Sequence, residues 1–407
     1  MTAATPTPAR TIPAIAVPLL SLAAFGSGMS MRATDPLLPL LSREFGVAIG
    51  HASLVVTVFS VAYGLAQLLF GPLGDRFGKY FVVGGAACAC ALTAALCALA
   101  PGFDLLLAAR VLAGATAAAI MPLSMAWIGD VIPYEQRQPV LARFLIGQVL
   151  GLSAGVLVGG LAADAGQWRL PFVLVAVLFA AVGAGVLWLN TRLPVHARQV
   201  RDVQGSALRH MAGEFSAIAG VPWARLVLMT VFLEGGFLYG PFAFIATHLH
   251  HVHGVSLTRA GALVMLFGFG GVAFALASGK LVRGLGEAGL TRWGALLLAL
   301  SLLAIGTAPT WIWAIPACFL AGMGFYMLHN TLQINATQMA PERRGAAVAA
   351  FSCCFFLGQS AGVGLCGLLV AHLGTAAILA GGAIGVLVVG LNFSLRLRAR
   401  AAKQAAP

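Results

Sequence analysis

The sequence predicts an all-α integral membrane protein, twelve transmembrane helices in two pseudo-symmetric six-helix bundles, and three observations carry that expectation. Hydrophobic residues make up 60% of the 407 and charged residues only 9%, too little polar surface to cover a water-soluble fold of this length. Apolar runs of about 18 to 25 residues, each able to cross a hydrocarbon layer ~30 Å thick, recur along the whole chain. Short motifs also return at about half its length.

The first six runs are 14–40, 53–70, 80–99, 105–128, 140–163 and 170–189, and the second six are 223–246, 261–278, 293–307, 312–332, 346–370 and 376–395. Between them lies the one long polar segment, with Arg192, His196, Arg198, Arg201, Asp202, Arg209, His210 and Glu214. It divides the chain into a bundle at 1–190, a linker at 191–222 and a bundle at 223–407. Gly279-Lys280-Leu281-Val282-Arg283-Gly284-Leu285-Gly286 echoes Gly71 to Gly78 at an offset of 208. Ser153-Ala154-Gly155-Val156 returns as Ser360-Ala361-Gly362-Val363, and Glu135-x-Arg137 as Glu342-x-Arg344, both at 207. Three matches at nearly one offset argue for two homologous bundles.

Orientation follows from the basic residues, because Lys and Arg near span ends stay on the cytoplasmic side. With the N-terminus inside, beginning with Arg10, all 24 Lys and Arg fall on that side except Arg32, Arg43, Arg110, Arg169 and Arg259. Both termini are therefore expected in the cytoplasm. The net charge of +12 reads as a topology signal and an affinity for anionic headgroups, and no basic-aromatic interleaving suggests nucleic acid. Thr2 to Pro8 lacks a basic stretch and the first apolar run is too long for a signal peptide, so none is expected. Cys88, Cys90, Cys97, Cys318, Cys353, Cys354 and Cys366 all fall within spans, where structural thiols are the reading; Cys88-x-Cys90 lacks metal or redox spacing.

The densest charge in the first half is Gly71-Pro72-Leu73-Gly74-Asp75-Arg76-Phe77-Gly78-Lys79, between the second and third runs. It resembles the G-x-L-x-D-R-x-G-R/K signature of the major facilitator superfamily, with Lys79 where that family usually has Arg. Arg110-Val111-Leu112-Ala113-Gly114 in span four is similar to the family's R-x-x-x-G element. Gly147, Gly151, Gly155 and Gly159-Gly160 in span five resemble the glycine-rich antiporter signature of the drug:proton branch, departing from it at Val156, where that signature has Pro. Asp35-Pro36-Leu37-Leu38-Pro39 resembles the Asp/Pro pattern of twelve-span drug and metabolite exporters.

The resemblance implies the major facilitator fold, alternating access, and a central cavity lined by spans one, four, seven and ten. Those spans hold Arg32 and Asp35, Arg110, Glu234, and Tyr326, His329 and Asn330. A charge near the bilayer centre costs about 2.5 to 3.5 kcal/mol even on permissive scales, so such residues read as substrate or proton groups. Arg32 and Asp35, three apart, could also simply pair on one helix face. Glu234 and His329 could be structural core groups; Glu234, in the middle of its span, is the leading candidate for proton coupling. Gly71, Gly74 and Gly78 permit a tight turn between antiparallel helices. The same resemblance makes Asp75, Arg76 and Lys79 a gate, with Asp75 accepting from the amides that open span eleven near Gly345. Glycine every fourth residue leaves a helix face on which a neighbour can pack or slide.

His248, His250, His251 and His253 cluster after span seven, expected as a solvated outer loop and not as a metal site. No nucleotide-binding loop and no H-E-x-x-H constellation occurs, so ATP coupling and intramembrane catalysis are not expected, and no cofactor is implied. The expectation is a non-enzymatic, proton-coupled secondary transporter of a bacterial inner membrane, monomeric, exporting a small organic compound. Proton-coupled uptake of a sugar or metabolite is the alternative, with a channel or intramembrane enzyme more remote.

Overall fold

The computed structural model describes residues 12–198, 200 and 207–405; the 2–8 segment, Arg10, Arg201 and Asp202 lie outside the described residues. These residues form fifteen α-helices and three short 3-10 turns, with no strand among them. The helices are α1 Ala16–Arg32, α2 Leu38–Phe45, α3 Ile49–Ala52, α4 Leu54–Phe77, α5 Lys79–Leu99, α6 Phe103–Ala117, α7 Ile120–Val131, α8 Tyr134–Asp164 and α9 Leu170–Asn190. The linker holds a turn at Val195–Arg198 and α10 at Ala207–Gly220, and the rest are α11 Pro222–Phe242, α12 Ile245–His253, α13 Leu257–Thr307, α14 Ala314–Gln338 and α15 Arg344–Ala405. Nine stretches among the described residues are long and apolar enough to cross a membrane.

Two of the nine, of 51 and 62 residues, far exceed the ~30 Å layer at 1.5 Å per residue. Each folds back at one glycine outside helical geometry, Gly286 with φ 63° and Gly374 with φ 76°. Packing shows the reversal. Along α14, Gly322 abuts Phe267 while Gly324, two residues on, abuts Gly294, so the parts of α13 on either side of Gly286 lie against one stretch of helix. Likewise α11 meets α15 both at Gly362 and at Gly382.

Three spans expected as continuous helices, 14–40, 105–128 and 223–246, are broken instead. Proline explains the first, since it has no N–H to give to the carbonyl four residues back. Pro36 and Pro39 leave the Arg32 and Asp35 carbonyls to the preceding amides, Asp35 N at 3.3 Å and Leu38 N at 3.5 Å, and the chain turns between α1 and α2. Pro122, just inside α7, accompanies the step at Ala118–Ala119, and Pro241 the step between α11 and α12. Residues 71–79, between the second and third runs, are expected to lie outside the helices. Helix α4 instead continues to Phe77, and only Gly78, at φ 89°, turns the chain into α5. The histidines expected on a solvated loop lie on helix α12, and His248 is buried with Nδ1 2.8 Å from Thr375 Oγ1.

The glycine stripe of α8 packs in register. A side chain added at Gly147, Gly151, Gly155 or Gly159 would land on the backbone of Ser21, Phe25, Met29 or Ala33 in and just beyond α1. The two helices therefore run parallel at close range, four residues against four. The same arrangement recurs between α15 and α11, where Gly358 and Gly362 abut Phe232 and Gly236, each 207 positions after Gly151, Gly155, Phe25 and Met29. Gly114 against Phe59 likewise returns as Gly322 against Phe267, 208 positions on.

Among the described residues, every hydrogen bond joining 12–190 to 222–405 lies between mid-depth and the end opposite Gly78. At that distal end the Asp164 carboxylate accepts from the first amides of α13, Leu257 N at 2.9 Å and Thr258 N at 2.7 Å. Deeper, Ser153 Oγ donates to the Met265 carbonyl at 3.4 Å and Ser360 Oγ to the Thr57 carbonyl at 3.0 Å. Residues 153 and 360, and 57 and 265, occupy corresponding places in the repeat, so these two bonds are reciprocal.

Substitutions at two glycines separate close packing from mere helix content. Gly151→Ala puts a methyl against the Phe25 backbone, which cannot rotate away, and should cost about 1–3 kcal/mol. Gly71 faces open space inside α4, so Gly71→Ala should gain roughly 0.5–1 kcal/mol. Thermal unfolding of both purified variants in one detergent checks this, and matching melting temperatures would show that the stripe makes no close contact.

Candidate functional site

Five of the seven residues expected in a central site, Arg32, Asp35, Glu234, Tyr326 and His329, come together where the proline-broken helices α1 and α11 meet α14 and α15; the sixth, Asn330, follows His329 in sequence. Arg32 ends α1, and its Nη1 donates to Asp35 Oδ2 at 3.3 Å; both side chains are almost fully buried. Its Nη2 donates to Gln359 Oε1 of α15 at 3.1 Å, and Gln359 Nε2 donates in turn to Ser60 Oγ of α4 at 2.7 Å. The guanidinium lies 4.1 Å over the ring of Tyr239 and 5.3 Å from that of Phe242. A cation in hydrocarbon needs such partners, and here a carboxylate, an amide and two aromatic faces supply them.

Tyr239 links this pair to a second one. Its ring meets Phe325 at 5.6 Å and Phe355 at 5.5 Å, and Phe325 stacks on His329 at 4.8 Å. His329 Nδ1 lies 2.9 Å from Glu234 Oε2, a hydrogen-bond distance whichever of the two holds the proton. The Glu234 side chain is 0% exposed and that of His329 17% exposed, with Phe351 and Phe355 closing around the imidazole. Tyr326 packs on Phe325 at 5.0 Å and against Gly271, and Asn330 is half-buried beside His329. One oxygen each of Glu234 and Asp35 is buried without a partner among the described residues.

Arg110, on α6 beside this cluster, bonds to backbone and not to the cluster's side chains. Fully buried, it donates from Nε to the Val55 carbonyl at 3.0 Å and from Nη1 to the Ser30 carbonyl at 3.1 Å, with its guanidinium 4.1 Å over Phe59. Ser30 is in the last turn of α1, where carbonyls lack helical partners, so Arg110 caps the helix end that carries Arg32 and Asp35. It is a positioning residue for the break.

At the opposite end, Asp75 lies 3.4 Å from Lys79 Nζ, and Lys79 also pairs with Asp130 of α7. Gly74 is crowded by Leu123 and Lys79, Gly71 is open, and the Arg76 guanidinium lies 5.4 Å from the ring of Phe77. No hydrogen bond or ion pair joins 71–79 to α15 among the described residues; near the start of α15, Arg343 pairs with Glu214 of α10 at 3.2 Å.

Sequence reasoning missed Gln359 and Asp164. Gln359 immediately precedes the repeated Ser360-Ala361-Gly362-Val363, and its counterpart in the first copy is Leu152; a polar residue at one copy of an apolar position was the available signal. Asp164 is an acid four residues beyond Gly160, at the end of its span.

Helices broken at proline beside paired buried charges, in a chain whose helix contacts repeat at one offset, define a membrane transporter. The sequence pattern of the Major Facilitator Superfamily matches residues 20–363, and the chain belongs to that family. It is 24% identical over 378 residues to an uncharacterized MFS-type transporter of Bacillus subtilis, YwfA, covering 92% of this chain and 90% of that one. It is 26% identical over 184 residues to a probable efflux pump of Aspergillus flavus, mfs2, covering 44% of each chain. Among solved structures, the nucleoside transporter NupG superposes with a TM-score of 0.75 at 14% identity, over 93% of this chain and 98% of that one; that likeness is one of fold.

The buried network should behave as a unit. In a double-mutant cycle on thermal stability, Arg32→Gln and Gln359→Leu should be non-additive by roughly 0.5–3 kcal/mol, because either change strands the other partner. Additive losses would mean that the 3.1 Å contact carries no coupling.

Proposed function

We propose that this transporter is a proton-coupled antiporter that exports a small organic compound by alternating access, with Glu234 as its proton-binding carboxyl. The observation that carries the reading is the Glu234–His329 pair, a wholly buried carboxyl 2.9 Å from an imidazole that retains some exposure. An imidazole and a carboxyl at that distance can pass a proton, and His329 gives the buried group its route outward. Tyr326, Asn330, Arg32 and Asp35 complete a mixed aromatic and polar surface for substrate. The likeness to a probable efflux pump favours export.

In this reading the chain crosses a bacterial inner membrane twelve times as a monomer, as bundles 1–190 and 223–407 joined by 191–222, with both termini and the Gly78 corner in the cytoplasm. The distal bonds at Asp164 then close the external side, and the molecule stands open to the cytoplasm. Closing that side brings Asp75 to the start of α15 near Gly345, where a carboxylate meets helix amides, while Asp164 lets go of α13. Asp75, Arg76 and Lys79 are the cytoplasmic gate, Gly74 and Gly78 its turn, and Asp164 the external latch.

Losing the latch should shift the balance outward. Asp164→Ala removes two hydrogen bonds from helix amides to an exposed carboxylate, a penalty of roughly 0.5–1 kcal/mol each against the closed external side. Spin labels at residues 167 and 259, read by double electron–electron resonance, should show a new longer distance; an unchanged distribution would refute the latch.

Coupling is tested in proteoliposomes. Glu234→Gln keeps the shape but cannot release a proton, so substrate–substrate exchange should persist while pH-driven uphill transport falls to background. A variant that still concentrates substrate with wild-type proton movement would make Glu234 structural. Symmetric collapse of the pH gradient by a protonophore should abolish accumulation by the unmodified protein.

A further inference from the structure

We propose that the corner between α4, α5 and the start of the linker is a binding site for the headgroup of an anionic phospholipid. A cavity of about 310 Å³ lies there, lined by Phe77, Gly78, Tyr80, Phe81, Asn190, Ala197 and Arg198. Phe77 and Asn190 are the last residues of two membrane-crossing stretches, and Lys79 is the first residue of a third. The cavity therefore sits at the level where hydrocarbon gives way to headgroups.

Its walls divide by chemistry. Phe77 and Phe81 are about half exposed, an apolar wall continuous with the acyl region. Arg198 and Asn190 offer hydrogen-bond donors on the polar side. Arg192 follows two residues after Asn190, its guanidinium 3.9 Å over the exposed ring of Trp188, and Arg76 adjoins Phe77. None of these three arginines has a carboxylate partner among the described residues. A guanidinium in the wall of a cavity at a membrane interface, with Arg76 and Arg192 within two residues of other lining residues, suits a phosphodiester.

The polar side is also held in place. The Ala197 carbonyl accepts from the indole Nε1 of buried Trp127 at 2.9 Å, and Leu193 and Ala197 are buried, so the turn that presents Arg198 is anchored to α7. A lipid seated here would bridge the linker to the Gly78 turn.

Native mass spectrometry of the purified full chain with added phosphatidylglycerol or phosphatidylcholine tests the site. One phosphatidylglycerol should be retained in preference to phosphatidylcholine. Retention should fall roughly fivefold in Arg198→Gln and on the order of thirtyfold in Arg192→Gln/Arg198→Gln, at about 1 kcal/mol per guanidinium. Phe81→Ser, which removes the apolar wall, should weaken it too, and photoreactive phosphatidylglycerol should label peptides containing 77–81 or 188–198. The control Arg396→Gln/Arg398→Gln removes equal charge elsewhere and should leave retention unchanged. Equal loss in that control would reduce the effect to diffuse attraction and overturn the proposal, as would undiminished retention in Arg192→Gln/Arg198→Gln. Full displacement of the lipid by water-soluble glycerophosphoglycerol would overturn it as well, assigning the site to a free phosphate ester.

Discussion

In hydrocarbon no water is released when two apolar helices meet, so their association rests on how closely the backbones approach. Gly151 on the Phe25 backbone, Gly114 on Phe59 and their counterparts Gly358 on Phe232 and Gly322 on Phe267 are among the places where backbones approach closely. Everything else is hung from these seams. They fix α1 against α8 and α11 against α15, and so they fix where Arg32, Asp35 and Glu234 stand. A side chain at any of these glycines would push the helix bearing the charges away from its partners.

The charges obey a second rule, that each must be satisfied within the protein because lipid offers nothing. Arg110 meets it at Nε and Nη1, which donate to the Val55 and Ser30 carbonyls, while its Nη2 is buried without a partner among the described residues; Arg32 meets it by binding Asp35, Gln359 and the face of Tyr239. These solutions depend on each other. Pro36 and Pro39 end the helix, its last turn offers the Ser30 carbonyl to Arg110, and the turn after Arg32 brings Asp35 to within 3.3 Å of it. The helix break is thus part of the site and not a flaw beside it.

Much of this was legible in the chain. Apolar runs gave the helical membrane class, and the matches at 207 and 208 pointed to the repeat that glycine contacts now display residue against residue. The stripe at Gly147, Gly151, Gly155 and Gly159 announced a close neighbour, though only the fold says that the neighbour is α1. Other features were hidden for physical reasons. Hydropathy is blind to a helix break, since a window as long as a span averages residues 33–37 into the apolar residues on either side; only the prolines marked it. Gln359 is one amide in an apolar helix, and its importance comes from Arg32, 327 positions away in sequence. The corner at 71–79 read as a loop because charge and glycine usually mean a turn, whereas the chain needed non-helical geometry at Gly78 alone.

Repetition also clarifies what is not repeated. Ser153 on Met265 and Ser360 on Thr57 are reciprocal, and so are Gly160 against Leu257 and Gly367 against Gly50. Two seams between the repeats are therefore built alike, α8 with α13 and α15 with the α3–α4 segment. Asp164 breaks the balance, for its counterpart at 207 positions on is Ala371, which has no carboxylate to offer. Both seams carry packing and a serine bond; the first adds the charge-assisted bonds of Asp164, and the second the bond from Gln359 to Ser60. The Asp164 bonds are therefore a feature of the distal α8–α13 contact that the repeat does not duplicate among the described residues, and they set that seam apart from its counterpart.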